Sequence, residues 1–126
     1  MKLHHLGIAT NNFDEAEDHI HKIYEVKSNV GPIWDPNLNA NLMLFNISNS
    51  YFIELVSGPA VENILKKRIN LYHFCYEVND FENSVNKYIE SGSTLIIKPT
   101  PALLFENRLV AFLLTPLGIV ELLSKY

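Results

Sequence analysis

The chain reads itself twice, and that repeat constrains its fold more than any composition figure. Shifted by 68 residues, His5 falls on His73, Asn11 on Asn79 and Phe13 on Phe81, with Asn12 over Asp80 and Asp14 over Glu82. Toward the end of each half the shift becomes 67, where Ile53-Glu54-Leu55-Val56-Ser57 lies over Val120-Glu121-Leu122-Leu123-Ser124. Few identities support either match alone, but nearly the same offset at both ends of one unit marks a duplicated structural element.

Both halves run through the same pattern. Leu3 to Thr10 and Leu71 to Val78 are short apolar runs of strand type, each followed by an Asn-Asn or Asn-Asp breaker. Phe13, Ala16, Ile20, Ile23 and Tyr24 then recur at helical spacing, as do Phe81, Val85, Tyr88 and Ile89, before Gly92 supplies a stop. Three strands are predicted after each helix, near Tyr24–Val30, Asn41–Ile47 and Tyr51–Val56, and near Thr94–Lys98, Arg108–Thr115 and Gly118–Leu123. Gly31-Pro32, Asp35-Pro36 and the Asn-rich stretch to Asn41 read as a loop over an opening, with Trp34 in its middle. Gly58-Pro59 and a short helix around Val61–Arg68 join the halves.

The 126 residues are 48% apolar and 19% charged, enough to enclose a core. Half a chain of roughly sixty residues buries too little to stand alone. The expectation is therefore one α+β domain over residues 1–126. Its repeats, about 3–57 and 71–124, form two tandem βαβββ modules in a curved, partly open mixed sheet. A net charge of −4 without a basic run argues against a nucleic-acid partner. With the single cysteine Cys75 no intrachain disulfide is possible, which points to a reducing cytoplasm. The longest apolar run, Leu109–Leu114, is too short to span a bilayer, and no apolar signal core follows Met1-Lys2-Leu3-His4-His5.

A polar residue duplicated inside an apolar strand needs a reason, because burying it without partners is costly. His5 alternates with Gly7 and Ala9, His73 with Cys75 and Glu77, Glu54 with Phe52 and Val56, and Glu121 with Ile119 and Leu123. All four should project from strands onto one interior surface. Singly, each is better explained as a hydrogen-bonded core histidine or an exposed strand-end glutamate than as a metal ligand. As a set placed by the repeat, two imidazoles and two carboxylates make a divalent-metal site suited to Ni, Co, Zn or Mn.

The stretches beginning at His5 (HLGIAT), Phe52 (FIELV), Tyr72 (YHFCYEVND) and Gly118 (GIVELL) resemble the four ligand strands of the vicinal oxygen chelate superfamily. That superfamily includes glyoxalase I, methylmalonyl-CoA epimerase, extradiol dioxygenases and metal-free antibiotic-sequestering proteins. The resemblance, from Leu3 to about Ser124, implies His5, Glu54, His73 and Glu121 as metal ligands and a homodimer as the assembly. It further implies a small-molecule substrate with adjacent oxygens and a glyoxalase-like lyase or isomerase reaction. There Glu54 and Glu121 would act as both ligand and base, moving an α-proton through a metal-stabilised enolate. An epimerase of the methylmalonyl-CoA type, an Fe(II) dioxygenase and a non-catalytic binding module are the alternatives. Epimerases carry Gln where Glu54 stands and a glutamate base near Asn41. Glyoxalase I carries an arginine where Ala9 stands and Asn near Gly58, so a glutathione substrate is not expected.

Arg108, opening a strand of the second half, is a candidate for an anionic substrate group or for an ion pair with Glu106. Asn41 and Trp34 complete the substrate-binding candidates. His4 should point to the helix side, Cys75 should be a small buried hydrophobe, and His19 and His21 should lie on a solvated helix face. No Gly-rich phosphate cradle and no G-x-S-x-G nucleophile motif is present.

Overall fold

The computed structural model describes residues 1–126. The first module comprises β1 (Lys2–Ala9), α1 (Phe13–Ile23), β2 (Val26–Asp35), β3 (Ala40–Ile47) and β4 (Tyr51–Ser57). A 3-10 turn at Pro59–Val61 and the short α2 (Glu62–Lys66) lead to the second module. This has β5 (Leu71–Val78), α3 (Phe81–Glu90), β6 (Thr94–Ala102), a 3-10 turn at Leu103–Phe105, β7 (Arg108–Thr115) and β8 (Gly118–Ser124). The long helices start where the breakers predicted: Asn12 accepts the Glu15 N–H at 3.1 Å and Asp80 the Asn83 N–H at 3.2 Å. No helix is long and apolar enough to cross a membrane.

One eight-stranded sheet contains both modules, in the order β2-β3-β4-β1-β5-β8-β7-β6. Its centre is the antiparallel β1–β5 pair; each of these strands then runs parallel to the last strand of its own module. Helix α1 covers one end of the outer face over Phe45, Ile53 and Leu55, and α3 covers the other over Ala111, Leu113 and Leu122. On the inner face, Leu42, Leu44 and Val56 of the first module share a single core with Val110, Phe112 and Leu123 of the second. The sheet has curled far enough for its two halves to bury each other's apolar surface.

Both outer strands run further than their sequences suggested. Strand β2 continues through Gly31-Pro32 to Asp35, so Trp34 belongs to a strand and only Pro36–Asn39 forms the turn expected as a longer loop. Strand β6 likewise continues through Pro99 and Pro101. Each is an edge strand, where a missing N–H costs no ladder bond on the open side. The β2–β3 register slips between Val30 and Ile33. Gly31 makes this possible: its φ is +100°, and a Cβ there would meet the Leu42 carbonyl oxygen at 2.5 Å.

Beyond Asp35 the two free edges of the sheet are stitched together. The buried Asp35 carboxylate accepts the N–H of Asn37 at 2.9 Å and that of Leu103, just after β6, at 3.0 Å. The Asn37 side chain donates to the Pro101 carbonyl at 3.1 Å. Leu38 and Phe105, on the segments so joined, drop into the inner core from opposite sides. The mouth of the curled sheet is thus closed.

Candidate metal centre

Strand alternation brings His5 of β1, Glu54 of β4, His73 of β5 and Glu121 of β8 to the middle of the inner face. Their relative exposures are 0, 3, 1 and 1%, so water contributes almost nothing to their solvation. His5 Nε2 and His73 Nε2 lie 3.1 Å apart. Glu121 Oε1 is 2.9 and 3.0 Å from these two nitrogens, and Glu54 Oε1 is 3.6 and 3.4 Å from them. Around a metal–ligand bond of about 2.1 Å, ligand atoms stand about 3.0 Å apart at right angles and about 3.4 Å apart at the tetrahedral angle. The spacings, from 2.9 to 3.6 Å, bracket those two values closely. Glu121 Oε1 is buried yet has no hydrogen bond aimed at it, despite its short distances to both imidazoles. A buried carboxylate oxygen without a donor is expensive unless a cation supplies the partner. The four residues therefore fit a divalent ion.

The same crowding sets their protonation. Burial opposes charging His5, but Cys75, Glu54 and Glu121 beside it raise it well above an ordinary histidine. Burial likewise opposes charging His73, and Glu121, then Glu54, raise it. Burial alone would raise both glutamates, but the two imidazoles hold Glu54 and Glu121 below the usual carboxylate range. Without a cation, the quartet is a compact, mutually neutralising set of charges.

Two further side chains reach this face, and one of them overturns a sequence expectation. His4 does not point to the helices. In the β1–β5 pair, Leu3 opposes Tyr76 and His5 opposes Cys75, so His4 is the extra residue of a bulge and turns inward. Its ring stacks on Phe52 with centroids 4.8 Å apart, and its Nδ1 lies 2.8 Å from Nδ1 of His5. Burial, then the nearby His5 and Arg108, lower its pKa to about 4. A second slip, between Gly7 and Ile8, does the same for Tyr72, which lies over Phe112 and edge-on to His73. Burial and then Glu121 and Glu54 push the Tyr72 hydroxyl up to about 12. Under the 68-residue offset His4 and Tyr72 are equivalent, so the repeat duplicates the bulge along with the histidine.

Gly7 sits where no side chain fits. A Cβ there would lie within 2.5 Å of Nδ1 and Nε2 of His73 and collide with the ring. Cys75, the equivalent residue of the second half, is fully buried, and burial raises its thiol well above the ordinary value, in keeping with a packing role.

The substrate-binding candidates are not gathered at the quartet. Arg108 is on the inner face, buried, but its guanidinium pairs with Glu77 rather than Glu106 and donates to the Ser124 carbonyl at 2.7 Å. It lines a cavity of about 360 Å3 with His4, Asn46 and Tyr126. Asn41 pairs with Ser57, out of phase with Glu54, so it occupies the outer face; Leu42 and Leu44 are among the inward residues of β3. Trp34, opposite Asn41, is half-exposed on that same outer face. Beside Glu54 and His73 the interior has a cavity of only about 10 Å3, lined by Ala40, Leu42, Val56, Tyr72 and Phe112. The largest cavity, about 710 Å3, lies on the outer face between β5, β8 and α3.

A curled sheet of two βαβββ modules with four ligand-type residues at its centre defines the class, and a family model agrees. Residues 4–112 match the glyoxalase/bleomycin resistance protein/dioxygenase superfamily, and the chain belongs to it. No curated protein matches the sequence significantly. Among solved structures, a hypothetical protein from Bacillus halodurans C-125 superposes with a TM-score of 0.76 at 21% identity, over 99% of this chain and 94% of that one. Methylmalonyl-CoA epimerase from Mycobacterium tuberculosis gives 0.79 at 17% identity, over 99% and 88%. A variant of the Streptomyces coelicolor epimerase, in complex with 2-nitronate-propionyl-CoA, gives 0.75 at 14%, over 99% and 94%. At these identities the likeness is one of fold.

Proposed function

We propose that this chain is a divalent-metal-dependent lyase or isomerase that moves a proton from the carbon next to a carbonyl. The observation that carries the reading is the convergence of two imidazole nitrogens and two carboxylate oxygens, one of the latter buried without a donor. His5, Glu54, His73 and Glu121 would hold the ion, with Ni, Co, Zn or Mn suited to this mixed donor set. The ion would supply Lewis acidity to a substrate carrying adjacent oxygens, making its α C–H acidic.

The protein's own groups do the rest. Glu54 and Glu121 are the only carboxylates of the quartet, and the inward residues of β3, Ala40, Leu42, Leu44 and Asn46, include no acid, so no carboxylate base comes from that strand. One glutamate takes the α-proton, and either returns it to the neighbouring carbon or leaves the second to reprotonate the same carbon. Phe105, Leu38, Phe112 and Tyr72 surround the site with apolar surface, keeping water from competing for the proton. Arg108, already neutralised by Glu77, is poorly placed to give an anionic substrate a full charge.

The return of the proton to the same carbon is an epimerisation, and the epimerase fold likeness together with two buried glutamates favours an acyl thioester as second candidate substrate. A glutathione adduct is disfavoured, because Ala9, where glyoxalase I has an arginine, is fully buried and apolar.

The test is metal titration into chelator-treated protein, followed by α-proton exchange in heavy water on a panel: the methylglyoxal–glutathione adduct, methylmalonyl-CoA, and thiol-free 2-oxo and 2-hydroxy compounds. Glu54→Gln or Glu121→Gln should lower exchange by roughly 10²-fold or more while metal stays bound. Undiminished exchange in both variants places the base elsewhere. A filled site with no exchange on any compound makes the protein a binding module.

A further inference from the structure

The two histidines of the quartet are held in different ways. His73 is fixed by packing: Gly7 lies under its ring, Tyr72 and Phe112 stand edge-on at 4.7 and 5.0 Å, and its buried Nδ1 has no hydrogen-bond partner. His5 is held by another imidazole. Nδ1 of His4 lies 2.8 Å from Nδ1 of His5, on the side of the ring away from the quartet. The His4 ring is itself clamped, stacked on Phe52 at 4.8 Å and edge-on to Phe105 at 5.4 Å, while Phe105 stacks on His5.

A histidine that binds metal through Nε2 must carry its proton on Nδ1, and the group accepting that proton fixes both tautomer and ring angle. We infer that His4 is a positioning residue for His5: its Nδ1 accepts the His5 Nδ1–H and leaves the His5 Nε2 lone pair aimed at the quartet. Tyr72, which occupies the equivalent place in the second half, has no hydrogen bond to His73 and only packs against it. The duplicated bulge therefore serves two purposes, a hydrogen-bond support in one half and a packing support in the other. This inference rests on the metal-site reading above.

Two substitutions separate a hydrogen-bonding role from a packing one. His4→Phe keeps a ring to stack on Phe52 and removes the nitrogen. His4→Asn loses the ring but keeps an acceptor oxygen near the Nδ1 position. Zn affinity is measured by competition with a chromogenic chelator, and the His5 Nδ1–H proton is followed by NMR in the Zn-loaded protein. His4→Phe should bind Zn 10–100-fold more weakly than the wild type. His4→Asn should stay within roughly threefold, because the hydrogen bond that orients the ligand is kept. The Nδ1–H resonance should be protected from exchange in the wild type and in His4→Asn, and lost in His4→Phe. The reverse order of affinities, or equal affinities in all three proteins, overturns the assignment. So does absence of the protected proton from the Zn-loaded wild type, which decides the matter even if His4→Phe fails to fold. A wild type that binds no Zn, Ni, Co or Mn overturns the metal reading itself, and this inference with it.

Discussion

Asp35 should control access to the quartet, and replacing it with alanine is the most direct test of the closed mouth. Its fully buried carboxylate is the only group that binds N–H donors on both sides of the seam, Asn37 at 2.9 Å and Leu103 at 3.0 Å. Asp35→Ala leaves both donors without their partner, at about 1–2 kcal/mol each, because Asn37 and Leu103 are exposed and water can replace the lost acceptor. A fold of ordinary stability, about 5–15 kcal/mol, survives that loss. Only the Leu103 bond crosses the mouth, the Asn37 bond being local to the turn, so about 1–2 kcal/mol of the cost falls on the closed state and should raise the open fraction by roughly 5- to 30-fold, each 1.4 kcal/mol being about tenfold. The assay is the rate at which excess chelator extracts Zn from the loaded protein, with amide exchange at Leu103 as a parallel probe. Asp35→Asn, which keeps one acceptor oxygen, should lie between wild type and alanine. If Asp35→Ala is destabilised by the expected amount but releases Zn at the wild-type rate, the seam is not the gate and the reasoning fails.

The remaining predictions concern the quartet directly. Gly7→Ala must push the His73 ring aside, so it should cost about 1–3 kcal/mol of stability and weaken Zn binding at least tenfold; affinity within threefold of wild type would show that the ring has room to move. Since His5 and His73 are both raised, they favour their protonated forms in the metal-free fold, and metal must displace those protons. Binding near neutral pH should therefore release at least about one proton, and affinity should rise with pH; titration calorimetry showing the same heat in buffers of different ionisation enthalpy would contradict this. The sign for stability of the metal-free protein follows from the same shifts. The raised histidines stabilise it below about pH 6.5 and lose that contribution as pH rises through their folded values, whereas the lowered glutamates lose theirs as pH falls below about 4.5.

The repeat made most of the fold legible because duplicated signals correct one another. Asn12 and Asp80, each ahead of a Phe, mark both helix starts, and the paired Glu-Leu segments mark the last strand of each module. What stayed hidden was the length of the edge strands. Pro32, Pro99 and Pro101 are normally signs of a strand's end, and the sequence holds no record of which strands have an open side. Once the sheet order puts β2 and β6 at the edges, the prolines cost nothing and the strands run on toward the mouth. The closure at Asp35 was equally invisible, since it joins residues 68 apart through a backbone N–H that any residue type could offer.

At the centre, strict alternation sufficed for His5, Glu54, His73 and Glu121, because their strands are regular between these residues and their neighbours in the sheet. It failed at His4, one residue before the first histidine of the quartet, and misplaces Tyr72 in the same way. Alternation assumes one residue opposite one, and the bulges at His4 and Tyr72 break that count without any Gly or Pro to announce them. The usable signal was the repeat itself: Leu3-His4-His5 over Leu71-Tyr72-His73 aligns two large polar aromatics that a helix-facing position has no reason to select twice. Asn41 and Trp34 failed for the related reason that a candidate position on β3 is worthless without its phase; a shift of one residue carries the side chain through the sheet. The differences between the halves then say more about function than their similarities. Both halves build a histidine and a glutamate into the centre, but only the first supports its histidine with a second imidazole. Only the second has an arginine, Arg108, where the 68-residue offset puts Ala40 in the first. A duplicated cradle with unlike surroundings would leave a bound ion symmetric in its ligands while giving the two glutamates different neighbours, which is what the proposed passage of a proton from one to the other requires.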